Sequence, residues 1–481
     1  MRPAAALVAL CALRLATAAG AEPPWGSAAA RAAASASAGD APTPFLVLTR
    51  GDAAALADIC NHSAPFPAAS PRFGCRLLLG AACRRLYRTA LSGFAGSFRP
   101  SALRALHACA PGLLANVELD APVVRLAAAS SPPALPAPLR VPWNLDRLDQ
   151  RDTPLDGTYA PWMPGVNASD GSGVAIFVID SGIRGTHAEF GAAGGASRAV
   201  PGFDFIANAV PKACSDCDGH GTHVAGTAAG LRTGVAPGAA LHCVRVLDCA
   251  GNGQLSDVVA ALDWVAAQQV RPAVAVLSLG VPRGDWSAAL EAAVRGAVRK
   301  GGIFVAAAAG NDSGDACAMA PAAVPDAFTV GASDLAPRFR DASATSSFGG
   351  SPPDGLYSYG DTGPCLDIFA PGTDVLSACG GANRCANPGD AAYARASGTS
   401  MAAPHVAGAA ALFLSRRPSA RPEEVAAALR AAATPGKLQG KMVAGTPNLL
   451  LYARVVPTAA SVAAQAGPSA ALTAFSPVGG P

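Results

Sequence analysis

The chain is poor in charge and in aromatic rings: Asp, Glu, Lys and Arg make up 14% of its 481 residues, and Phe, Trp and Tyr 6%. A nucleic-acid binder needs basic clusters interleaved with stacking aromatics. The formal net charge here is only +3 and no such cluster occurs, so nucleic acid is excluded as a partner. Also missing is any stretch of about eighteen or more apolar residues free of charge, so no membrane span is expected. The hydrophobic fraction is 51% all the same, mainly because alanine is abundant. Cys214-Ser-Asp-Cys217 has no second CxxC to complete a zinc site, and is not read as one.

What is present is length enough for one large core plus a smaller domain. Residues 1–21 read as a secretory signal peptide, with Arg2 at the positive end, Ala4 to Leu13 as the apolar run and Ala19-Gly-Ala21 before the cut. Arg14 interrupts that pattern. Residues 22–42 are an Ala-, Ser- and Pro-rich linker expected to be disordered. Residues 43–126 read as a small α+β unit: a strand from Pro44, a helix over Asp52–Cys60, a strand pair or bent strand over Arg85–Phe98, a helix capped by Ser101, and a strand over Leu114–Asp120. A second linker spans 127–138, and residues 456–481 form a low-complexity tail.

From residue 139 to 455 strands and helices alternate, the pattern of a parallel α/β sheet. Strands are expected at Val174–Ile179, Val244–Leu247, Val274–Leu279, Ile303–Ala307, Phe328–Val330 and Leu366–Phe369. Ser256 and Ser287 are read as caps of two helices between them, and Pro422 opens a late helix with Glu423 and Glu424 in its first turn. Three stretches carry chemistry. Val174–Ile179 delivers Asp180 at the end of a buried strand; Gly219-His220-Gly221 opens a small-residue helix; and Gly398-Thr-Ser400 leads into Met401–Leu414, apolar nearly all round. Pro404 is read as lying in the first turn of that helix, where a missing N–H costs little.

Asp180, His220 and Ser400 come in the order of one known serine-peptidase triad arrangement. The phrases Val178-Ile-Asp-Ser-Gly-Ile183, Gly219-His-Gly-Thr-His-Val-Ala-Gly-Thr227, Val244-Arg-Val-Leu-Asp248, Leu277-Ser-Leu-Gly280, Ala308-Ala-Gly-Asn311 and Gly398-Thr-Ser-Met-Ala-Ala-Pro-His405 resemble the subtilisin-like serine peptidases, in particular the proteinase K branch and its aqualysin-like members. The resemblance runs from about Phe45 to Ala453. It implies an α/β fold with a subtilisin-like parallel sheet flanked by helices, preceded at 43–126 by an inhibitory propeptide domain, with autocleavage in the 127–138 linker.

That resemblance, and the places where this chain departs from it, suggest further roles. Asp180, His220 and Ser400 would be the catalytic triad and Asn311 the side-chain donor to the oxyanion. Gly251, Asn252 and Gly253 on one side, and Ser278, Leu279 and Gly280 on the other, would hold substrate as an added strand. Ala308 and Gly310, with Ala307 and Ala309, would line an apolar pocket for the residue before the cut. Val281-Pro282 stands where the family continues with glycines, and is expected to narrow the site for the fourth residue before the cut. Cys217 with Cys249, and Cys317 with Cys365, match family disulfides, and Cys379 with Cys385 could close an inserted loop. Cys60, Cys75, Cys83 and Cys109 allow three pairings, and Cys214 and Cys243 have no match.

No cofactor is expected for the chemistry. A structural Ca2+ is implied at the carbonyls of Pro325 and Ala327 and the carboxylate of Asp367. His223, His405 and His187-Ala-Glu189 are read as structural. The resulting expectation is a secreted, self-processing, monomeric serine endopeptidase with an apolar preference, its partners being protein and peptide substrates and its own propeptide as inhibitor. Vacuole or cell wall are alternative destinations, and a propeptide-clamped protein acting by contact is the alternative function.

Overall fold

The computed structural model describes residues 23–25, 30–31, 40–50, 83–109, 112–126, 128–129, 141–160, 169–191, 195–210, 215–282, 288–335, 354–382, 385 and 389–454. The signal, most of both linkers, the helix read at 52–60, the tail beyond 456, and Cys60, Cys75 and Cys214 lie outside the described residues.

In the N-terminal unit, alternating apolar residues pair into an antiparallel sheet. Its strands are β1 (Thr43–Thr49), β2 (Cys83–Tyr87), β3 (Gly93–Phe98) and β4 (Leu114–Leu119), in the order β2-β3-β1-β4. The segment read as a strand pair or a bent strand is the β2–β3 hairpin. Helix α1 (Pro100–Cys109) covers one face, burying Leu103 and Leu106 against Phe45, Val47, Phe94 and Phe98. Ser101 lies inside α1 rather than capping it, and Asp40 accepts hydrogen bonds from its N–H and its hydroxyl. Two short strands follow, β5 (Pro122–Arg125) and β6 (Ala128–Ala129).

The large unit then alternates strand and helix. Its first half contains β7 (Ala175–Asp180), β8 (Ala199–Asp204), α2 (His220–Ala229), β9 (Ala240–Arg245), β10 (Asn252–Gln254) and α3 (Leu255–Ala267). Next come β11 (Ala273–Leu277), β12 (Leu279–Pro282), α4 (Ala288–Arg299), β13 (Phe304–Ala308) and β14 (Met319–Ala320). Last are β15 (Phe328–Asp334), β16 (Asp354–Leu356), β17 (Ile368–Pro371), β18 (Val375–Ala378), β19 (Tyr393–Ser397), α5 (Thr399–Arg416) and α6 (Pro422–Ala432).

The strand order β8-β9-β7-β11-β13-β15-β17 is parallel throughout. Both faces of such a sheet must be covered, which is why its strands read as continuous apolar runs. Along β7 the side chains divide by parity: Ile176 and Val178 pack in the core with α2 and α5, while Ala175, Phe177 and Ile179 pack with α3 and α4.

Helix α5 is buried from Thr399 through Leu414, as its apolar sequence requires. Pro404 lies deeper than the first turn, contrary to the sequence reading. Its missing N–H leaves the Ser400 carbonyl without an intrahelical donor, and the Ser278 hydroxyl takes that place at 2.9 Å. The starts of α3 and α4 also differ from expectation. Ser256 does not cap α3; its N–H and hydroxyl are bound by Asp120 at 2.8 and 2.6 Å. At α4 the N–H of Ala289 donates to Glu118 at 3.0 Å, and Ser287 lies outside the described residues. Both carboxylates come from the N-terminal unit and its exit, and they satisfy helix-end donors that a local serine was expected to hold.

Candidate active site

β7 ends at Asp180, a fully buried carboxylate. Gly219, at φ +100°, makes the turn into α2 that a side-chain-bearing residue would resist, and His220 is the first residue of that helix. His220 Nδ1 lies 2.8 and 2.9 Å from the two Asp180 oxygens. The carboxylate therefore fixes Nδ1 as the protonated nitrogen, and Nε2 is left facing the cleft as a base. Nε2 is buried and has no hydrogen-bond partner among the described residues.

Ser400 sits in the first turn of α5 and is fully buried. Its hydroxyl donates to the Ser278 carbonyl at 2.8 Å rather than to His220. Asp180 and His220 are thus joined directly, whereas no hydrogen bond links His220 to Ser400 in this arrangement.

Ser400 and Asn311 converge instead on a third group, the carbonyl of Leu126. That oxygen accepts the Ser400 N–H at 3.4 Å and the Asn311 side-chain Nδ2. Asn311 is aimed by Thr399, whose N–H and hydroxyl both donate to the amide oxygen, at 3.0 and 3.1 Å. This fixes which end of the amide faces Leu126. Thr399 escapes motif reading because its task is visible only once α5 and β13 are side by side.

The segment ending at Leu126 is an added strand. β5 lies antiparallel between β10 and β12, in the sheet order β10-β5-β12-β14. Asn252 and Gly253 pair with Val124 and Val123 on one side, and Leu279 and Gly280 with Arg125 and Val124 on the other. The backbone of Leu126 donates to Ser278 at 3.2 Å and that of Arg125 to Gly251 at 3.2 Å. Leu126 is buried in a core that includes Ala308, and a Cβ on Gly280 would come 3.0 Å from its Cδ1. Val123 is buried with Val281 and Leu255. Gly310, at φ +125°, brings Asn311 out of β13; its N–H donates to the Thr399 hydroxyl at 3.2 Å. Gly251, Asn252 and Gly253 on one side of β5, and Ser278, Leu279 and Gly280 on the other, therefore all lie along this strand.

Comparison with known proteins agrees with this geometry. The profile of the subtilase family matches residues 171–449, more than half of the chain. The chain belongs to the subtilase family. With it the chain is a serine endopeptidase. It is 42% identical over 377 residues to the extracellular serine proteinase of Thermus sp. (strain Rt41A), covering 78% of each. It is 43% identical over 310 residues to alkaline serine exoprotease A of Vibrio alginolyticus, covering 64% of this chain and 50% of that one. The crystal structure of a cold adapted subtilisin-like serine proteinase matches with a TM-score of 0.53 at 39% identity, covering 66% of this chain and 99% of that one. The central sheet and its flanking helices are the subtilisin-like fold.

In this subtilase the disulfides Cys217–Cys249, Cys317–Cys365 and Cys379–Cys385 are all formed. Cys243 is a buried thiol. The remaining histidines are built into the frame. Buried His405 bridges the Met401 carbonyl at 2.7 Å and Asn144 at 2.9 Å, and burial pushes its imidazole down to about 3. His223 contacts the Val375 carbonyl at 3.0 Å. His187 contacts that of Ala392 at 2.7 Å and accepts the Glu189 N–H, while the Glu189 carboxylate is taken up by Arg232, Thr233 and Tyr393.

The calcium expectation rests on Pro325, Ala327 and Asp367. Pro325, Ala327 and Asp367 do meet, at a cavity of about 500 Å³. The Asp367 carboxylate, however, accepts Arg430 at 2.8 Å on one oxygen and the Thr329 N–H at 2.7 Å on the other. The same Arg430 guanidinium lies 5.3 Å from the Phe328 ring centroid. A guanidinium thus stands on the only anionic donor of the set, and a dication would have to displace it. The residues do not fit Ca2+ in this arrangement. Among the described residues no group of three or more His, Cys, Asp or Glu converges elsewhere to hold a metal.

Proposed function

We propose that this subtilase is an extracellular, self-processing endopeptidase in which residues 43–126 are an inhibitory propeptide, and that its first substrate is its own Leu126–Ala127 bond. The observation that carries the reading is the Leu126 carbonyl. Its oxygen lies between Asn311 Nδ2 and the Ser400 N–H, where a scissile carbonyl must lie for an oxyanion to be stabilised. The extracellular destination rests on the Thermus relative, named for that location.

In this reading Ser400 Oγ leaves the Ser278 carbonyl and attacks the carbonyl carbon of Leu126, as His220 Nε2 takes its proton. Asp180 stabilises the imidazolium through Nδ1. Asn311 and the Ser400 N–H bind the oxyanion, each such donor being worth about 3 kcal/mol in the transition state. His220 returns the proton to the nitrogen of Ala127, the C–N bond breaks, and an acyl-enzyme on Ser400 remains. Water, deprotonated by His220, then releases the Leu126 carboxylate. The same steps serve protein substrates laid between β10 and β12.

N-terminal sequencing of full-length protein expressed as wild type and as Ser400→Ala, in a host without other subtilases, tests this. The wild type should yield a mature chain beginning at Ala127 and react with a serine phosphonylating probe. The Ser400→Ala protein should remain uncut. A cut Ser400→Ala protein, or a processed wild type that the probe does not label once residues 43–126 have been separated from it, would falsify the reading.

A further inference from the structure

We propose that Asp218 makes this peptidase selective for a basic residue, arginine above all, at the second position before the cut. The proposal rests on the reading of Leu126 as the residue that supplies the scissile carbonyl, which puts Arg125 at that second position.

Arg125 reaches sideways out of the β5 strand. One guanidinium nitrogen, Nη1, donates to Asp218 Oδ2 at 2.7 Å and to the Ala250 carbonyl at 2.6 Å. A guanidinium Nη carries two hydrogens, and the two acceptors use both. The Asp218 side chain is fully buried, whereas that of Arg125 keeps 24% of its surface exposed. The subsite is therefore an anionic wall with an open mouth, suited to a long cation whose stem lies along the cleft.

The wall is held rigidly. Asp218 Oδ1 accepts the backbone N–H of His220 at 3.1 Å, so the carboxylate is fixed to the turn that carries the imidazole. Opposite, Asp248 accepts the N–H groups of Ala250 and Asn252, both at 2.9 Å, which sets the turn presenting the Ala250 carbonyl. Gly251, at φ +80°, supplies the floor: a Cβ there would fall 1.9 Å from Arg125 Nη1. The Cys217–Cys249 disulfide joins the residue before Asp218 to the residue before Ala250. Both acceptors are thus clipped to each other independently of any substrate.

The chemistry of the site is one-sided. A carboxylate and a carbonyl face the guanidinium, so a cation gains two charge-assisted or polar bonds that a neutral side chain cannot make. An acidic side chain meets a like charge. Arginine is favoured over lysine because a planar guanidinium keeps its donors aimed at both acceptors. The first pocket is apolar, so the preferred sequence is a basic residue followed by a leucine-like one.

The test compares kcat/KM of the processed wild-type enzyme on two peptides that end in Arg-Leu or citrulline-Leu before the reporter group. Citrulline has the shape of arginine without its charge. The Arg peptide should be preferred by about 10- to 100-fold, the range expected of a hydrogen bond to a charged partner, and the preference should shrink in 1 M NaCl. In Asp218→Asn the ratio should fall to within about threefold of unity. Equal cleavage of the two peptides by wild type overturns the proposal and leaves the endopeptidase reading intact. So does an Asp218→Asn enzyme that keeps the full preference. Should that variant not fold, the wild-type ratio and its salt dependence still decide. Failure to cleave either peptide, with no probe labelling of Ser400, would remove the endopeptidase reading and the selectivity with it.

Discussion

Helices α5 and α3–α4 lie on opposite faces of one sheet and are secured in opposite ways. α5 is wrapped by its own unit: alanines and leucines fill its surroundings, Gly408 lets it approach Val235 and the Ala228 carbonyl, and Ser278 serves the carbonyl that Pro404 leaves orphaned. The outer surface of α3 and α4 is completed by the N-terminal unit. Asp120 and Glu118 take their end N–H groups, Asp257 binds Arg84 and Arg85 at 2.6 and 2.7 Å, and Asp263 accepts the N–H groups of Arg88, Thr89 and Ala90. Gly296 has no Cβ where the Ala90 carbonyl presses on α4. One face is self-sufficient and nearly uncharged. The other is polar and finished by a segment expected to leave.

That contrast predicts which changes separate precursor from processed enzyme, the uncut form being kept as Ser400→Ala. The largest effect belongs to Asp257→Ala. It leaves buried Arg85 without its carboxylate, and the precursor should lose about 3–5 kcal/mol in denaturant melts. In the processed form Asp257 would face solvent near the start of α3, and its loss should cost less than about 1 kcal/mol. Equal losses in both forms would erase the distinction between the two faces.

Glu118 comes next. Burial at the α4 terminus outweighs the N–H groups it accepts and raises its carboxyl from 4.5 to about 7. Docking therefore takes up a proton between those values. Its contribution is most favourable below about pH 4.5, weakens as pH rises to about 7, and is level above. The swing is on the order of 3 kcal/mol. Subtracting the melting curves of a Glu118→Gln precursor should isolate it, and a difference that does not change with pH would refute it. His405 runs the other way: its depressed imidazole costs stability as pH falls below about 6.5, in precursor and processed form alike.

Gly408→Val should cost both forms about 2 kcal/mol, because the added branch meets Val235 and the Ala228 carbonyl. A loss confined to the precursor would contradict the self-sufficiency of α5. The smallest effect concerns calcium. With Arg430 on Asp367, chelator should leave the melting temperature of the processed form unchanged, while Arg430→Met should make it rise on adding Ca2+. A wild-type melting point that drops in chelator would show that the ion displaces the guanidinium.

The same division explains what could be read from the sequence. β7, α2 and α5 were legible because a buried strand and a buried helix announce themselves by local periodicity, and their ends carry Asp180, His220 and Ser400. The Ser256 cap and the place of Pro404 were misread because each depends on a partner far along the chain, Asp120 and Ser278, and the pairing of Arg430 with Asp367 was invisible for the same reason. β8 gave little signal, since Ala-Val-Pro-Gly-Phe-Asp mixes a proline and a glycine into a strand at the sheet edge. β9 begins at Ala240, earlier than the apolar run from Val244 suggests, because its register is set by pairing with β7. Asp218 lies inside a recognised phrase, yet nothing local marks it as facing Arg125.

The two sides of the Leu126–Ala127 bond are tied to different sheets. β5 is hydrogen-bonded between β10 and β12, and two residues further on β6 pairs with β19, Ala128 opposite Ser397 and Ala129 opposite Ala396. Breaking one covalent bond between these anchors removes none of the pairing on either side. On the proposed cleavage, the molecule just after the cut would therefore keep the strand pairing, and the covered cleft, that it had just before it. Scission and the onset of activity would then be separate events on separate clocks. The first would be unimolecular and indifferent to dilution; the second would wait for β5 to peel away. A culture of this enzyme should hold fully cut, silent protein for a lag set by dissociation, and the first molecules to open should shorten that lag for the rest by digesting the propeptides they meet.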